Sequence, residues 1–419
     1  MNNSILYRLD WWLILIYSLL IAFGIVNIYS ATFNNTSTGI FDMSQPVGKQ
    51  MFFLIVSLFS GILILAVNSK FFEQFASIAY YLSIFLLIGL FIFGKTVSGA
   101  TSWYNIAGLS IQPSELAKVA TALMIASLMS KVQSDLKNLN TFLKILGALF
   151  LPFVLIIFQP DPGSALVFGA FFFPLFREGL SYVYLVLFVS LMFLFFITLS
   201  FPISVVVMII TLLIFLLFFV LKNINKKIKI WPFIGSFVIS AGFSLSVDYI
   251  FDNVFEQRHR DRINIVLGKT VDNQGIGYNM NQSKIAIGAG GLKGKGFLEG
   301  TQTKGDFVPE QHTDYIFSTV GEEWGFLGGS LMIILFCLLI IRIVIQAEKQ
   351  TNKFRRIYSH GIAGVLFIHF FINVGMSLGI LPTIGIPLPF LSYGGSSLLA
   401  FTIMIFIHLN FDANRLSEW

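Results

Sequence analysis

The chain has 419 residues, 56% hydrophobic and 11% charged, with 47 Phe and a formal net charge of +6. A soluble domain is about a quarter charged, and one core cannot hide apolar surface on this scale, so an ordinary soluble protein is excluded in favour of an integral membrane protein. The basic residues are scattered among short connections, where membrane orientation and anionic lipid head groups account for them, and no nucleic acid is expected as a partner.

Apolar stretches occur at roughly 11–31, 49–67, 76–94, 114–130, 142–158, 163–177, 181–199, 203–221, 232–250, 315–346, 357–381 and 395–411. Most approach the ~20 residues of a spanning helix. The expected architecture is therefore an all-α polytopic membrane protein of about 12 transmembrane helices. The first stretch follows Arg8 and Asp10 and lacks a small-x-small cleavage site, so it is read as an uncleaved span. The stretch at 163–177 is short, and that at 114–130 starts with Glu115 and Lys118. Cys337 is the single cysteine and lies in an apolar run, so no disulfide forms within the chain.

Lys and Arg in short loops set the orientation. With both termini cytoplasmic, sixteen basic residues fall inside and only Lys49, Lys95 and Lys118 outside. Residues 251–313 then form one long extracytoplasmic loop, holding the other eight. A connection of this length usually signals function or disorder, and its apolar residues argue against disorder.

Chemistry-bearing motifs fall on the outer side. Gln112-Pro-Ser-Glu-Leu-Ala-Lys118 opens a helix, with Ser114 as a cap and Glu115 paired with Lys118 at i, i+3. That pair either stabilises the helix end or turns Lys118 toward a lipid phosphate. Gln159-Pro-Asp-Pro-Gly-Ser164 is a tight break in which Asp161 can cap the next helix. Gly288-Ala-Gly-Gly-Leu-Lys-Gly-Lys-Gly296 fits neither the dinucleotide nor the Walker spacing. With Lys293, Lys295, Arg258, Arg260 and Arg262 it suits a pyrophosphate or lipid head group, or is a flexible loop with solvated charges.

Phe307-Val-Pro-Glu-Gln-His-Thr-Asp-Tyr-Ile-Phe317 closes the long polar segment and opens a hydrophobic helix at Asp314. A carboxylate there either caps the helix or serves as a general base. Ser318, Gly321 and Gly325 share its helical face, giving a groove beside the acid or a close helix contact. His312 suits packing, hydrogen bonding, proton transfer or metal ligation, although one histidine is not a metal site; Glu310 and Asp306 are expected in solvent, and Glu322 and Glu323 against polar groups of the bundle. Ile384-Gly-Ile-Pro-Leu-Pro-Phe-Leu-Ser-Tyr-Gly-Gly-Ser-Ser397 is a further irregular outer segment, so several breaks on one face suggest an outward cavity.

Together, the motifs at 112–118, 159–161 and 282–288, Pro309-Glu-Gln-His-Thr-Asp314, Gly321-Glu-Glu323 and Pro387-Leu-Pro-Phe-Leu-Ser-Tyr-Gly-Gly-Ser396 resemble the SEDS family of bacterial cell-wall polymerases, in order along nearly the whole chain. Gln282-Ser-Lys-Ile-Ala-Ile-Gly288 and Gly385-Ile-Pro-Leu-Pro389 are more similar to the elongation branch, RodA, than to the division branch, FtsW. The resemblance implies a peptidoglycan glycosyltransferase of the bacterial cytoplasmic membrane, polymerising lipid II on its outer face with a class B penicillin-binding protein as transpeptidase partner. It places the essential acid on Asp314, the tryptophan of the first outer loop on Trp103, and the Glu and Lys of the Gln-Pro-Ser motif on Glu115 and Lys118. Substrate contacts are expected from Trp103, Glu115, Lys118, Lys284, Lys293, Lys295, His312 and Ser392. Ser102 stands where the family usually has Arg, and Pro162 where it usually has Leu or Phe. The family usually has ten spans, so an inserted hairpin is expected at about 181–221.

The expected reaction joins a polyprenyl-pyrophosphate-linked glycan to the 4-hydroxyl of the GlcNAc of lipid II, with inversion and Asp314 as base. No tightly bound cofactor is expected, although Mg or Mn could assist the departing pyrophosphate. The rival readings are a flippase for the lipid-linked precursor and a noncatalytic scaffold for a penicillin-binding protein.

Overall fold

With no water in the hydrocarbon layer, each backbone N–H of a spanning segment is paired within that segment, and the apolar stretches are accordingly helical. A computed structural model describes residues 5–415 apart from 34–40, 98, 107, 132–135, 137, 225, 228, 254, 256, 270–275 and 306. The main helices are α1 (Trp11–Thr32), α2 (Pro46–Ala66), α3 (Ser69–Phe93), α4 (Pro113–Ser130) and α5 (Leu139–Phe158). They are followed by α6 (Pro162–Leu166), α7 (Phe172–Arg177), α8 (Tyr182–Ser200), α9 (Ile203–Ile224), α10 (Trp231–Asn253) and α11 (Gln257–Val266). The last are α12 (Ile276–Gly290), α13 (Thr301–Lys304), α14 (Ile316–Glu348), α15 (Lys353–Ser377) and α16 (Gly395–Ala413). Side chains before the helices start several of them: Asp10 accepts from Leu13 N–H, Asn68 from Lys70 N–H and Asn352 from Phe354 N–H, each at 2.9 Å.

Three expectations are revised. Among the described residues ten helices, not twelve, are long and apolar enough to cross a membrane. The exceptions are α4, shortened in hydropathy by its charges, and α6–α7, which a 3-10 turn at Val167–Phe171 breaks into short pieces. The chain is not wholly helical: β1 (Lys95–Val97), β2 (Ala100–Ile106) and β3 (Leu109–Ile111) form a small antiparallel sheet in the order β1-β2-β3. The stretch 251–313 is part helix, with α11, α12 and α13 supplying 29 of its 63 residues.

The chain divides into two compact units, Met1–Gly179 with Tyr278–Trp419, and Leu180–Gly277. In the second unit, Leu199, Val247 and Phe251 form a core packed by Phe195, Phe243, Phe255, Ile263 and Leu267, and Thr198 bonds Ser244 at 3.1 Å. In the first, α4, α15 and α16 are central. Of the most apolar window of α16, 83% is buried, against 22% for α5. Helix α4 is itself buried along most of its length, so it can hold charges that a lipid-facing helix could not.

One end of this first unit gathers the basic residues that the charge count places inside. Arg342 pairs with Asp10 at 2.6 Å, Arg177 with Glu348 at 2.6 Å and Arg356 with Glu178 at 2.8 Å. Arg355 reaches Ser69 at 2.7 Å and the carbonyl of Asn414 at 3.2 Å. The small sheet and the breaks at 159–164, 307–315 and 378–394 lie at the other ends of the same helices. Sorting by charge is matched by sorting in space.

Candidate active site

The segment before α14 turns at Glu310, whose carbonyl accepts from Thr313 N–H at 3.1 Å and Tyr315 N–H at 3.2 Å. Tyr315 is the cap residue, and it makes no side-chain cap bond. The capping reading of Asp314 is therefore corrected: the helix starts too late for it. Its carbonyl instead accepts from Asn373 Nδ2 at 2.8 Å. Tyr315 anchors the turn from below, buried with Ala286 and Val308 and bonded to Thr383 at 2.5 Å. Asp314 itself is half-buried. Opposite it, Gly385 turns the chain at φ 79°, and a Cβ there would stand 3.4 Å from Asp314 Oδ2.

The irregular outer segments converge on this turn. Ser392 donates to the carbonyl of Thr313 at 2.6 Å and accepts from Leu388 N–H at 2.8 Å, while Tyr393 N–H donates to His312 O at 2.8 Å. The His312 ring packs 5.7 Å from Tyr393, whose phenol burial pushes above its ordinary value, keeping it neutral. Gln112 Nε2 donates to Asp161 at 2.9 Å and to Ser164 at 3.2 Å. Asp161 also caps α6, accepting from Ser164 N–H at 3.0 Å, with Pro162 at the first helical position that suits it. A Cβ at Gly163 would meet the carbonyl of Ile384 at 2.7 Å, so the first break abuts the third.

Glu115 and Lys118 lie deeper than a phosphate contact would require. Lys118 is wholly buried, pairing with Glu115 at 2.7 Å and with His369 Nε2 at 2.8 Å. Ser114 is not the cap of α4. Pro113 occupies the first helical turn one residue earlier, Gln112 is the cap residue, and the Ser114 hydroxyl is buried without a partner. Trp103 is half-buried on β2, opposite Lys95. Strand alternation puts it on the other face from Tyr104, which bonds the Leu86 carbonyl at 2.9 Å. Ser102, on the Tyr104 face, is fully buried.

The glycine-rich segment is not a loose loop. It inserts into α14 at Gly325, a residue with non-helical φ 64° and ψ −162°. Lys295 N–H and Gly296 N–H donate to the carbonyls of Glu322 and Glu323, both at 3.0 Å. Phe326 N–H and Leu327 N–H return to Gly291 O at 2.8 Å and Leu292 O at 3.1 Å. A Cβ at Gly294 would collide with the carbonyl of Glu323, so glycine is needed for the approach. Gly321 packs against Ile287 and Gly290, making the small-residue face a helix contact rather than a groove.

Glu322 accepts from Gln302 N–H and Thr303 N–H at 2.9 Å, from Thr303 Oγ1 at 2.8 Å and from Lys295 at 3.2 Å, fixing the start of α13. Glu323 accepts from Ser30. Lys295 is thus engaged inside the protein, whereas Lys284 and Lys293 are exposed. Lys284 lies along Gly379, at the end of α15 and six residues before Gly385. Glu310 is exposed and accepts from Thr313 at 2.8 Å. Arg260 bonds the Asp252 carbonyl at 2.8 Å. Asp306 and the side chain of Arg258 lie outside the described residues.

His369 and Asn373 are the site residues that the sequence reading missed. A histidine and an asparagine one turn apart within an apolar run were the available signal. For a divalent cation, no group of three His, Cys, Asp or Glu side chains among the described residues could hold the ion. The chemistry considered below is that of the chain's own groups.

Comparison with known proteins shows the family. A family model described as cell cycle protein, for FtsW, RodA and SpoVE, matches residues 10–209 and 203–416. Its two matches meet within α9, where the extra hairpin was expected. The chain is 32% identical to the peptidoglycan glycosyltransferase MrdB of Escherichia coli over 408 residues, covering 96% of this chain and 94% of that one. To the peptidoglycan glycosyltransferase RodA of Treponema pallidum it is 31% identical over 433 residues, covering 97% and 98%. A chain of a peptidoglycan synthase complex, solved in a study of how polymerization and crosslinking are coordinated, superposes with a TM-score of 0.71 at 24% identity, over 98% of this chain and 99% of that one. RodA of Thermus thermophilus superposes at 0.62 with 22% identity, over 97% and 98%. These two share the fold.

Proposed function

The chain belongs to the FtsW, RodA and SpoVE family, and from that membership we propose that it is a peptidoglycan glycosyltransferase. It polymerises lipid II into glycan strands at the outer face of the bacterial cytoplasmic membrane, serving elongation and cell shape. The growing strand, linked through pyrophosphate to a polyprenyl lipid, is the donor, and the 4-hydroxyl of the GlcNAc on incoming lipid II is the acceptor. Asp314 takes the proton of that hydroxyl as its oxygen attacks the anomeric carbon. The bond to the pyrophosphate breaks on the opposite face, and the α link becomes β.

The observation that carries this reading is the place of Asp314: half-buried, held by its own backbone between two outer segments, with a glycine facing its carboxylate. A base needs a carboxylate fixed near the acceptor with little competing water. Lys118 and Lys295 are engaged within the protein, which leaves the exposed Lys284 and Lys293 as the lysines to meet the pyrophosphate. A class B penicillin-binding protein would crosslink the product, a partnership supported by the shared fold with a chain of a peptidoglycan synthase complex. The test is purified protein, alone and with that partner, incubated with labelled lipid II. Glycan polymer is expected, and lipid translocation without polymer would replace the reading with transport.

A further inference from the structure

Two side chains one turn apart on α15 hold consecutive carbonyls of the segment facing Asp314. His369 Nδ1 is 3.0 Å from Pro387 O, and Asn373 Nδ2 is 2.8 Å from Ile386 O. The same Asn373 nitrogen also reaches Asp314 O at 2.8 Å. On the other side, His369 Nε2 meets Lys118 Nζ at 2.8 Å, and Lys118 is paired with Glu115 at 2.7 Å. His369 is 1% exposed, and Lys118 and Asn373 are fully buried.

Donor accounting fixes the form of the imidazole. An ammonium only donates, so Nε2 facing Lys118 must accept. The ring proton is therefore on Nδ1, where it is donated to Pro387 O. A neutral, single-tautomer histidine thus joins a buried ion pair on α4 to the turn whose Gly385 faces the Asp314 carboxylate. The ring is further seated edge-on against Phe401, with centroids 4.9 Å apart.

We propose that His369 is a positioning residue for glycan polymerisation: it carries the register of the Glu115–Lys118 pair to the 385–387 turn and so sets the space in front of Asp314. This rests on the assignment of Asp314 as the base. Its role is exerted through the turn, without contact with substrate. Binding of lipid II should therefore survive its loss better than the chemical step does.

The test compares His369→Phe, which keeps a ring against Phe401 and removes both hydrogen bonds, with His369→Gln, whose amide can accept from Lys118 and donate to Pro387. In His369→Phe the kcat should fall on the order of tenfold to a hundredfold, as for a small misplacement of reacting groups. KM for lipid II should stay within about twofold, since uniform binding is not what is removed. His369→Gln should recover most of the rate. A wild-type kcat in His369→Phe, a rise in KM alone, or equal loss in both variants would overturn the proposal. Absence of polymer from the wild-type protein would sink the assigned function instead. Hydrogen exchange then decides the positioning claim, because the amides of Leu388, Ser392 and Tyr393 should exchange faster in His369→Phe and not in His369→Gln. Unchanged exchange in His369→Phe would refute it.

Discussion

Asn373 on α15 and Asp314 before α14 are joined by one hydrogen bond, from the buried side-chain amide to the backbone carbonyl at 2.8 Å. Substituting Asn373→Leu leaves the carbonyls of Asp314 and Ile386 without this donor, at about 1–3 kcal/mol for each that stays dry. Lower thermal stability and a polymerisation rate reduced more than tenfold are expected. A variant of unchanged rate would show that the turn is held by other contacts.

The Glu115–Lys118 pair yields a second prediction. Removing one member of a buried pair typically costs about 3–5 kcal/mol, because the remaining charge stays in a low dielectric. Glu115→Gln and Lys118→Met should each lower the melting temperature in detergent sharply. The double variant should be more stable than the sum of the two losses predicts. Strict additivity would mean that the two groups do not sense each other.

Glycine positions offer a third contrast. Gly294, at φ 80°, packs on the Glu323 carbonyl, whereas a Cβ at Gly288 would meet nothing within 4 Å. Gly294→Ala is expected to prevent accumulation of folded protein, and Gly288→Ala to be neutral or slightly stabilising within α12. Equal yields of monodisperse protein from both would contradict the insertion of this segment into α14.

Gly385 tests the space before the acid. An L side chain at φ 79° costs about 1–2 kcal/mol, and its Cβ would fill the space up to van der Waals contact with Asp314 Oδ2. Gly385→Ala should therefore lose far more polymerisation than stability, measured as initial rate against melting temperature on one preparation. Loss of both in proportion would assign Gly385 to the scaffold alone.

Much of this was legible in the sequence, for identifiable reasons. Span positions follow from apolar length, and the grouping of Arg342, Arg355, Arg356 and Arg177 at one end follows from the sorting of basic residues. The cap at Asp161 follows from local turn chemistry. What escaped depended on tertiary neighbours. Nothing local shows that Gly288–Gly296 would complete the hydrogen bonds of a broken helix 27 to 35 residues further along the chain, or that Lys118 would meet His369 rather than a lipid phosphate. The helices α11, α12 and α13 were hidden because none holds an apolar run long enough to mark a span, α11 and α13 being short and polar and α12 interrupted by polar residues and glycines. Asp314 was visible as an acid at a helix start, but the bond of its carbonyl to Asn373 was not.

The most direct measurement of the central claim is the initial rate of glycan synthesis from labelled lipid II by wild-type protein and by Asp314→Asn, with the fold of each checked by melting temperature and lipid II binding. General base catalysis is typically worth about 10²–10⁴-fold, so the account predicts a loss of that size with folding and binding retained. A folded, lipid-binding Asp314→Asn that polymerises at close to the wild-type rate would contradict it.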